Sequence, residues 1–189
     1  MYDAITDSYC YQGTNVLKNL LGLQNQSALD AFEIAMTTQR ADELIPSGNF
    51  GSAHYYAIHR HLFQDIYQWA GEIRTVRIGK GGNAFCYPEH IAKEMEALFN
   101  DLESKNYFKK LPTDKFAVGM AHFLATLNAI HPFREGNGRT QLSLFFLLAG
   151  QAEHPVDFTK LISERFMEAM IASFGGDEAP LVAQILELI

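Results

Sequence analysis

Ten consecutive residues, His131-Pro132-Phe133-Arg134-Glu135-Gly136-Asn137-Gly138-Arg139-Thr140, bring together the parts of a phosphate-handling site. Pro132 ends any helix that carries His131, because proline lacks the N–H a helix interior needs. Gly136, Asn137 and Gly138 then open a new helix, whose first N–H groups have no helical partner and attract anions. Glycine lets that backbone approach a ligand closely. Arg139 falls in the first turn, within reach of a charge-assisted contact to a phosphate. Glu135 supplies a hard oxygen beside the anion site, the usual way a protein holds Mg2+ shared with substrate phosphates. His131 is the nearby side chain that titrates near neutral pH, which makes it the natural general base.

Each feature alone has a plainer reading. A histidine at a helix end is more often a cap or a core residue. Phe133 is a core anchor whatever the function, and Arg134 is expected to be solvated. The combination is specific, because seven fixed positions in nine residues arise by chance in roughly one chain in ten million of this size.

Such a site needs helices to hold it, and most of the sequence has helical periodicity. Residues 14–21 place Val16, Leu17, Leu20 and Leu21 on one side, with Gly22 as a stop. Ser27 can cap a second helix running toward Leu44. Residues 51–69 repeat Ile58, Leu62 and Ile66 at steps of four, and Pro88 opens a helix carrying Ile91, Met95, Leu98 and Leu102. Thr113 can cap a fifth helix that leads to His131, and a sixth runs from about Gly136 to Ala149. Segments near 157–173 and 179–188 add one or two more. One stretch departs from this pattern: residues 73–78, Ile-Arg-Thr-Val-Arg-Ile, are rich in β-branched side chains. A glycine-rich turn at 79–83 and a second extended run at 84–87 complete a β-hairpin. The expected fold is all-α, a helical bundle with one surface hairpin at about 73–86. The edge of an isolated hairpin is a liability unless it serves as a docking rail.

Composition narrows the classes. The chain has 189 residues, 48% of them apolar and 20% charged, which fits one domain of 1–189 with its own core. A net charge of −7 with no basic run argues against direct nucleic-acid binding. No apolar run is long enough to span a membrane. Cys10 and Cys86 form no CxxC pair, and residues 1–10 carry no signal core, so a cytoplasmic protein is the default. Export by a route without such a signal, as part of a longer effector, stays open. Weaker candidates are set aside: Gly79 to Asn83 fails the Walker spacing, His54, His59 and His61 do not share a helical face, and Cys86 is read as inert.

The motif resembles the signature of the Fic domain family, H-x-F-x-[DE]-G-N-G-R-x-x-R. Ile66-Tyr67-Gln68-Trp69-Ala70-Gly71-Glu72-Ile73-Arg74 is similar to the family's lead into a β-hairpin flap. Residues 11–19 resemble members held by a separate small antitoxin. The resemblance implies transfer of AMP from ATP to a Tyr, Ser or Thr hydroxyl of a target protein, with release of pyrophosphate. On that reading His131 is the catalytic base and Glu135 holds Mg2+. Phe133, Arg134, Glu135, Gly136, Asn137, Gly138, Arg139 and Thr140 surround the nucleotide, with Lys80 and Gly81 at its edge. The Asn137 side chain helps stabilise the phosphate charge. Ile73, Thr75, Val76, Arg77, Ile78 and Phe85 dock the target along the flap. Targets of such proteins include bacterial topoisomerase subunits and host GTPases.

Two departures matter. The last arginine of the signature is Leu142, which also extends an apolar stripe with Phe145, Phe146 and Ala149. ATP bound through Arg139 alone, a different phosphate-linked donor, and a catalytically impaired scaffold that binds a partner through the flap all remain open at that position. The self-inhibitory pattern [ST]-x-x-x-E-[GN] is absent, which implies a separate antitoxin or no such inhibition.

Overall fold

A helix that is apolar on almost every side organises the chain. The computed structural model describes residues 7–189, so the first six residues of the 1–10 stretch searched for a signal lie outside the described residues. In helix α4, Thr113–Ile130, nine of the residues between Phe116 and Ile130 are buried. A helix hydrophobic all round must be covered on all sides. Helices α3 (Pro88–Ser104), α5 (Asn137–Gln151), α6 (Ser163–Phe174) and α7 (Ala179–Leu188) pack around it. Helix α2 (Ser52–Phe63) lies on α5, and α1 (Gln26–Ala41) lies on α2. The strands β1 (Gly79–Lys80) and β2 (Asn83–Ala84) pair antiparallel, Gly79 with Ala84 and Lys80 with Asn83. This is the all-α bundle with a small hairpin that the sequence predicts. No described helix is long and apolar enough to cross a membrane.

Several boundaries differ from expectation. Residues 14–21 form no helix: Gly13 adopts φ 74°, and the chain doubles back so that Cys10 bridges Leu17. Val16 and Leu17 are buried there, whereas Leu20 and Leu21 are more than half exposed. Asn25 caps α1 in place of Ser27, accepting the Ala28 N–H at 3.0 Å. Helix α2 stops at Phe63, and turns carry Ile66 and Tyr67 into the core.

The hairpin is also shorter than expected. Residues 73–78 make no ladder; Arg74, 1% exposed, fixes them instead. Its Nη1 donates to the Val76 carbonyl at 2.7 Å, its Nη2 to Cys86 and Ile130 at 2.5 and 3.3 Å, and its Nε to His131 at 2.8 Å. The Arg74 N–H reaches the Pro132 carbonyl at 2.9 Å, and the Cys86 N–H reaches Ala129 at 3.0 Å. Both legs of the hairpin are thus rooted on the C-terminal end of α4. That end would otherwise leave its last carbonyls unsatisfied, and a cation is favoured there by the helix dipole.

Replacing Arg74 with Met should cost roughly 3 kcal/mol or more, because each buried acceptor left without a donor costs about 1–3 kcal/mol. Urea unfolding checks this, and a loss below about 1 kcal/mol would show that the carbonyls find other donors.

Candidate active site

His131 ends α4 in the left-handed region, at φ 51° and ψ 63°. Its backbone N–H still reaches the Leu127 carbonyl at 3.0 Å, and its ring Nδ1 lies 3.1 Å from the Asn128 carbonyl. A carbonyl only accepts, so Nδ1 carries the proton and Nε2 keeps a lone pair. The ring lies flat on Phe85, with centroids 3.9 Å apart and planes 15° apart. Burial lowers the imidazole pKa to about 3, with the charges of Arg74 and Lys80 adding to the effect. His131 is therefore neutral at physiological pH, the form a base requires.

The loop that follows is closed by its own side chains. Asn137 Oδ1 accepts the Phe133 N–H at 3.0 Å, and Nδ2 donates to the Phe133 carbonyl at 2.8 Å. Both ends of the Asn137 amide, of which a phosphate contact was expected, thus hold the loop. Thr140 turns inward and donates to the Gly136 carbonyl at 2.9 Å. Gly136 has φ 83°, and a Cβ there would lie 2.3 Å from the Phe63 ring, so only glycine fits. At Gly138 an added Cβ would meet nothing within 4 Å. The fold does not require that glycine; the open space lies at the N-terminus of α5, where an anion is favoured.

Glu135 sits at the mouth of this turn. One carboxylate oxygen accepts the Gly136 N–H at 2.9 Å. Burial raises its pKa, and the nearby charge of Glu33 pushes in the same direction. A divalent cation would relieve both effects. Among the described residues no three His, Cys, Asp or Glu side chains gather to hold a metal. One carboxylate completed by phosphate oxygens suits Mg2+, so the donor set fits.

Behind the loop stands a residue that the sequence reading passed over. The His59 ring stacks on Phe133 at 3.7 Å and on Phe63 at 4.6 Å. Its Nδ1 accepts the Gly71 N–H at 2.8 Å, so its Nε2 carries the proton and donates to the Glu135 carbonyl at 3.0 Å. Burial lowers its pKa to about 3. His54 and His61 serve other carbonyls, those of Pro46 and Arg40. A buried histidine with a fixed tautomer leaves no mark in sequence spacing.

These groups open on one cavity of about 560 Å³. Lys80, Gly81, His131, Glu135, Gly138 and Arg139 line its polar end. Leu161, Phe166, Met167, Met170, Ile171 and Phe174 line an apolar wall, and Leu142 faces the cavity as well. Gly136 and Phe85 also line it, Phe85 as the shelf beneath His131. Phe133, Arg134, Asn137 and Thr140 are not among the lining residues. Arg134 is buried, and its guanidinium pairs with Asp7 at 2.6 Å, which corrects its expected solvation. Ile73, Thr75, Val76, Arg77 and Ile78 are also not among the lining residues. Ile78 is buried, Thr75 bonds through its N–H to the Tyr9 hydroxyl, and Arg77 pairs with Glu89.

Known proteins resemble this chain in sequence and in fold. The sequence pattern of the Fic/DOC family matches residues 49–149. A probable protein adenylyltransferase of Sinorhizobium fredii is 49% identical over 100% of this chain and 98% of its own length. The probable protein adenylyltransferase Fic of Salmonella typhimurium is 38% identical over 94% of this chain and 89% of its own. Among solved structures, the BepC effector protein of Bartonella tribocorum with bound AMPPNP superposes with a TM-score of 0.85. It is 28% identical, and the match covers 95% of both chains.

Both buried imidazoles take up protons less readily in the fold than their ordinary value of 6.5 implies. The unfolded chain therefore binds more protons between about pH 3 and 6.5, and stability falls as pH drops through that window. Imidazole nitrogen shifts should show both rings neutral from pH 5 to 8, His131 protonated on Nδ1 and His59 on Nε2. A His131 titration centred near 6.5 would contradict the geometry.

Proposed function

The chain belongs to the Fic/DOC family, and from that premise we propose that it transfers AMP from ATP to a Tyr, Ser or Thr hydroxyl of a target protein. The observation that carries the reading is the neutral imidazole of His131, whose Nδ1 donates to the Asn128 carbonyl so that Nε2 is the unprotonated nitrogen. It lines the same cavity as the open N-terminus of α5. The relatives named as protein adenylyltransferases support the reaction class, and AMPPNP in the Bartonella tribocorum protein supports ATP as the donor.

The steps follow from the residues. His131 Nε2 accepts the proton of the target hydroxyl as its oxygen bonds to the α-phosphorus. The bond from that phosphorus to the bridging oxygen of the β-phosphate breaks, and pyrophosphate leaves with its electron pair. The product is a phosphodiester in which the AMP phosphorus links the target side-chain oxygen to the 5′ oxygen of adenosine. Backbone N–H groups at Gly138 and Arg139 face the developing charge, which costs little reorganisation because the helix holds them in place. The space beside Gly138 admits the phosphates. Glu135 would hold Mg2+ together with phosphate oxygens, and the bound cation offsets their negative charge. The apolar wall of α6 accepts the nucleoside. The short hairpin of β1 and β2, with Lys80 lining the cavity, would take an extended target segment as an added strand. A separate small antitoxin remains part of this reading.

Replacing His131 with Ala should lower AMP transfer by roughly 10²- to 10⁴-fold or more, the usual contribution of a positioned base. Calorimetry should find AMPPNP binding nearly unchanged. Wild-type transfer rates in that variant would remove the mechanism.

A further inference from the structure

Helix α1 lies outside the stretch 49–149 that carries the family pattern, yet it holds the arginine of the motif. Arg139 Nη2 donates to Glu33 Oε1 at 2.5 Å, and Nη1 donates to Thr37 Oγ1 at 3.2 Å. Glu33 and Thr37 are four residues apart, so both project from one face of the helix. The Thr37 hydroxyl completes the grip by donating to the Glu33 carbonyl at 2.7 Å. From α2, the Phe63 ring lies under the guanidinium at 4.7 Å. Glu33 is itself anchored, because the hydroxyl of Tyr67, 2% exposed, donates to its second oxygen.

We propose that α1 is a working part of the active site, with Glu33 and Thr37 as positioning residues that fix the Arg139 guanidinium for the nucleotide phosphates. Tyr67 acts through Glu33. The inference rests on the adenylyltransferase reading and deepens it. Arginine carries five N–H donors in a planar fork. One bond from each terminal nitrogen goes to α1, and the remaining donors stay with a side chain that lines the cavity. A phosphate can therefore bind Arg139 without displacing Glu33. A free arginine would lose rotamer freedom when the phosphate arrives, and that loss has already been met in the folded protein. With Leu142 at the last arginine position of the motif, the placement of Arg139 matters more.

The test uses the full chain with Glu33→Ala, Thr37→Val and Tyr67→Phe, the last two being close in shape to the residues they replace. Two readouts are needed. Nitrogen NMR of the Arg139 side chain should show separate, slowly exchanging Nη–H signals in the wild type, merging in Glu33→Ala and broadening in Thr37→Val. In AMP transfer, Glu33→Ala should lower kcat by roughly 10- to 100-fold, the scale of a misplaced catalytic contact. The KM for ATP should change much less. Tyr67→Phe should lower kcat alone and add nothing in the Glu33→Ala background, a dependence that a merely structural role would not produce. Faster transfer or tighter AMPPNP binding in Glu33→Ala would overturn the proposal, because Glu33 would then compete with phosphate. So would averaged Arg139 signals in the wild type, or full additivity of Tyr67→Phe. Absence of AMP transfer in every form, wild type included, would count against the proposed function, while the NMR result would still decide the role of Glu33.

Discussion

The guanidinium of Arg74 gathers the carbonyl oxygens of Val76, Cys86, Ile130 and His131. The active site depends on that convergence. Helix α4 has to end so that His131 faces the cavity, and a helix end exposes carbonyls that must find donors. The Leu127 carbonyl takes the His131 N–H, Asn128 takes its ring Nδ1–H, Ala129 takes the Cys86 N–H, and Ile130 takes Arg74. Satisfying the helix end thereby fixes the His131 ring in its tautomer and roots the hairpin beside it. The charge responsible also lowers the pKa of His131, so the same cation anchors the loop and helps keep that imidazole neutral.

Two histidines with opposite tautomers divide the work on either side of the loop. His131 donates from Nδ1 to a helix carbonyl and lines the cavity. His59 accepts at Nδ1 and donates from Nε2 to the carbonyl of Glu135, so it holds the turn from behind. Between them, Phe133 is pressed against His59, and Asn137 locks both of its backbone polar groups. The motif is thus two layers. Gly138, Glu135 and Arg139 line the cavity, while Phe133, Asn137 and Thr140 form the struts beneath.

The contiguous part of this site was legible in the sequence because its chemistry is local. His131, Pro132 and the glycines specify a helix stop, a tight loop and a helix start within ten residues. The cavity-facing roles of Glu135, Gly138 and Arg139 followed from that order. The supports were not legible. Arg74, His59 and Glu33 act over separations of 57, 76 and 106 residues, and a buried arginine or histidine resembles a surface one until the chain folds. Residues 14–21 show the limit of periodicity: their apolar spacing fits a helix, but Gly13 turns the chain and only Val16 and Leu17 reach the core. Residues 73–78 show the limit of β propensity. Their branched side chains suit an extended backbone, yet a buried arginine fixes most of it, and only the Ile78 carbonyl meets the opposite leg, at Phe85 N–H.

A neutral imidazole, a helix N-terminus and an apolar wall sharing one cavity suit the proposed transfer at the α-phosphorus of a nucleotide. Phosphoryl transfer from the γ-position would use many of the same groups, so the fate of each phosphate separates the two. The most direct measurement incubates the protein and Mg2+ with a bacterial or host lysate and ATP labelled at either the α- or the γ-phosphate. The account predicts that label from the α-phosphate becomes fixed on protein, while label from the γ-phosphate leaves in pyrophosphate. Stable protein labelling from the γ-phosphate, without labelling from the α-phosphate, would contradict it.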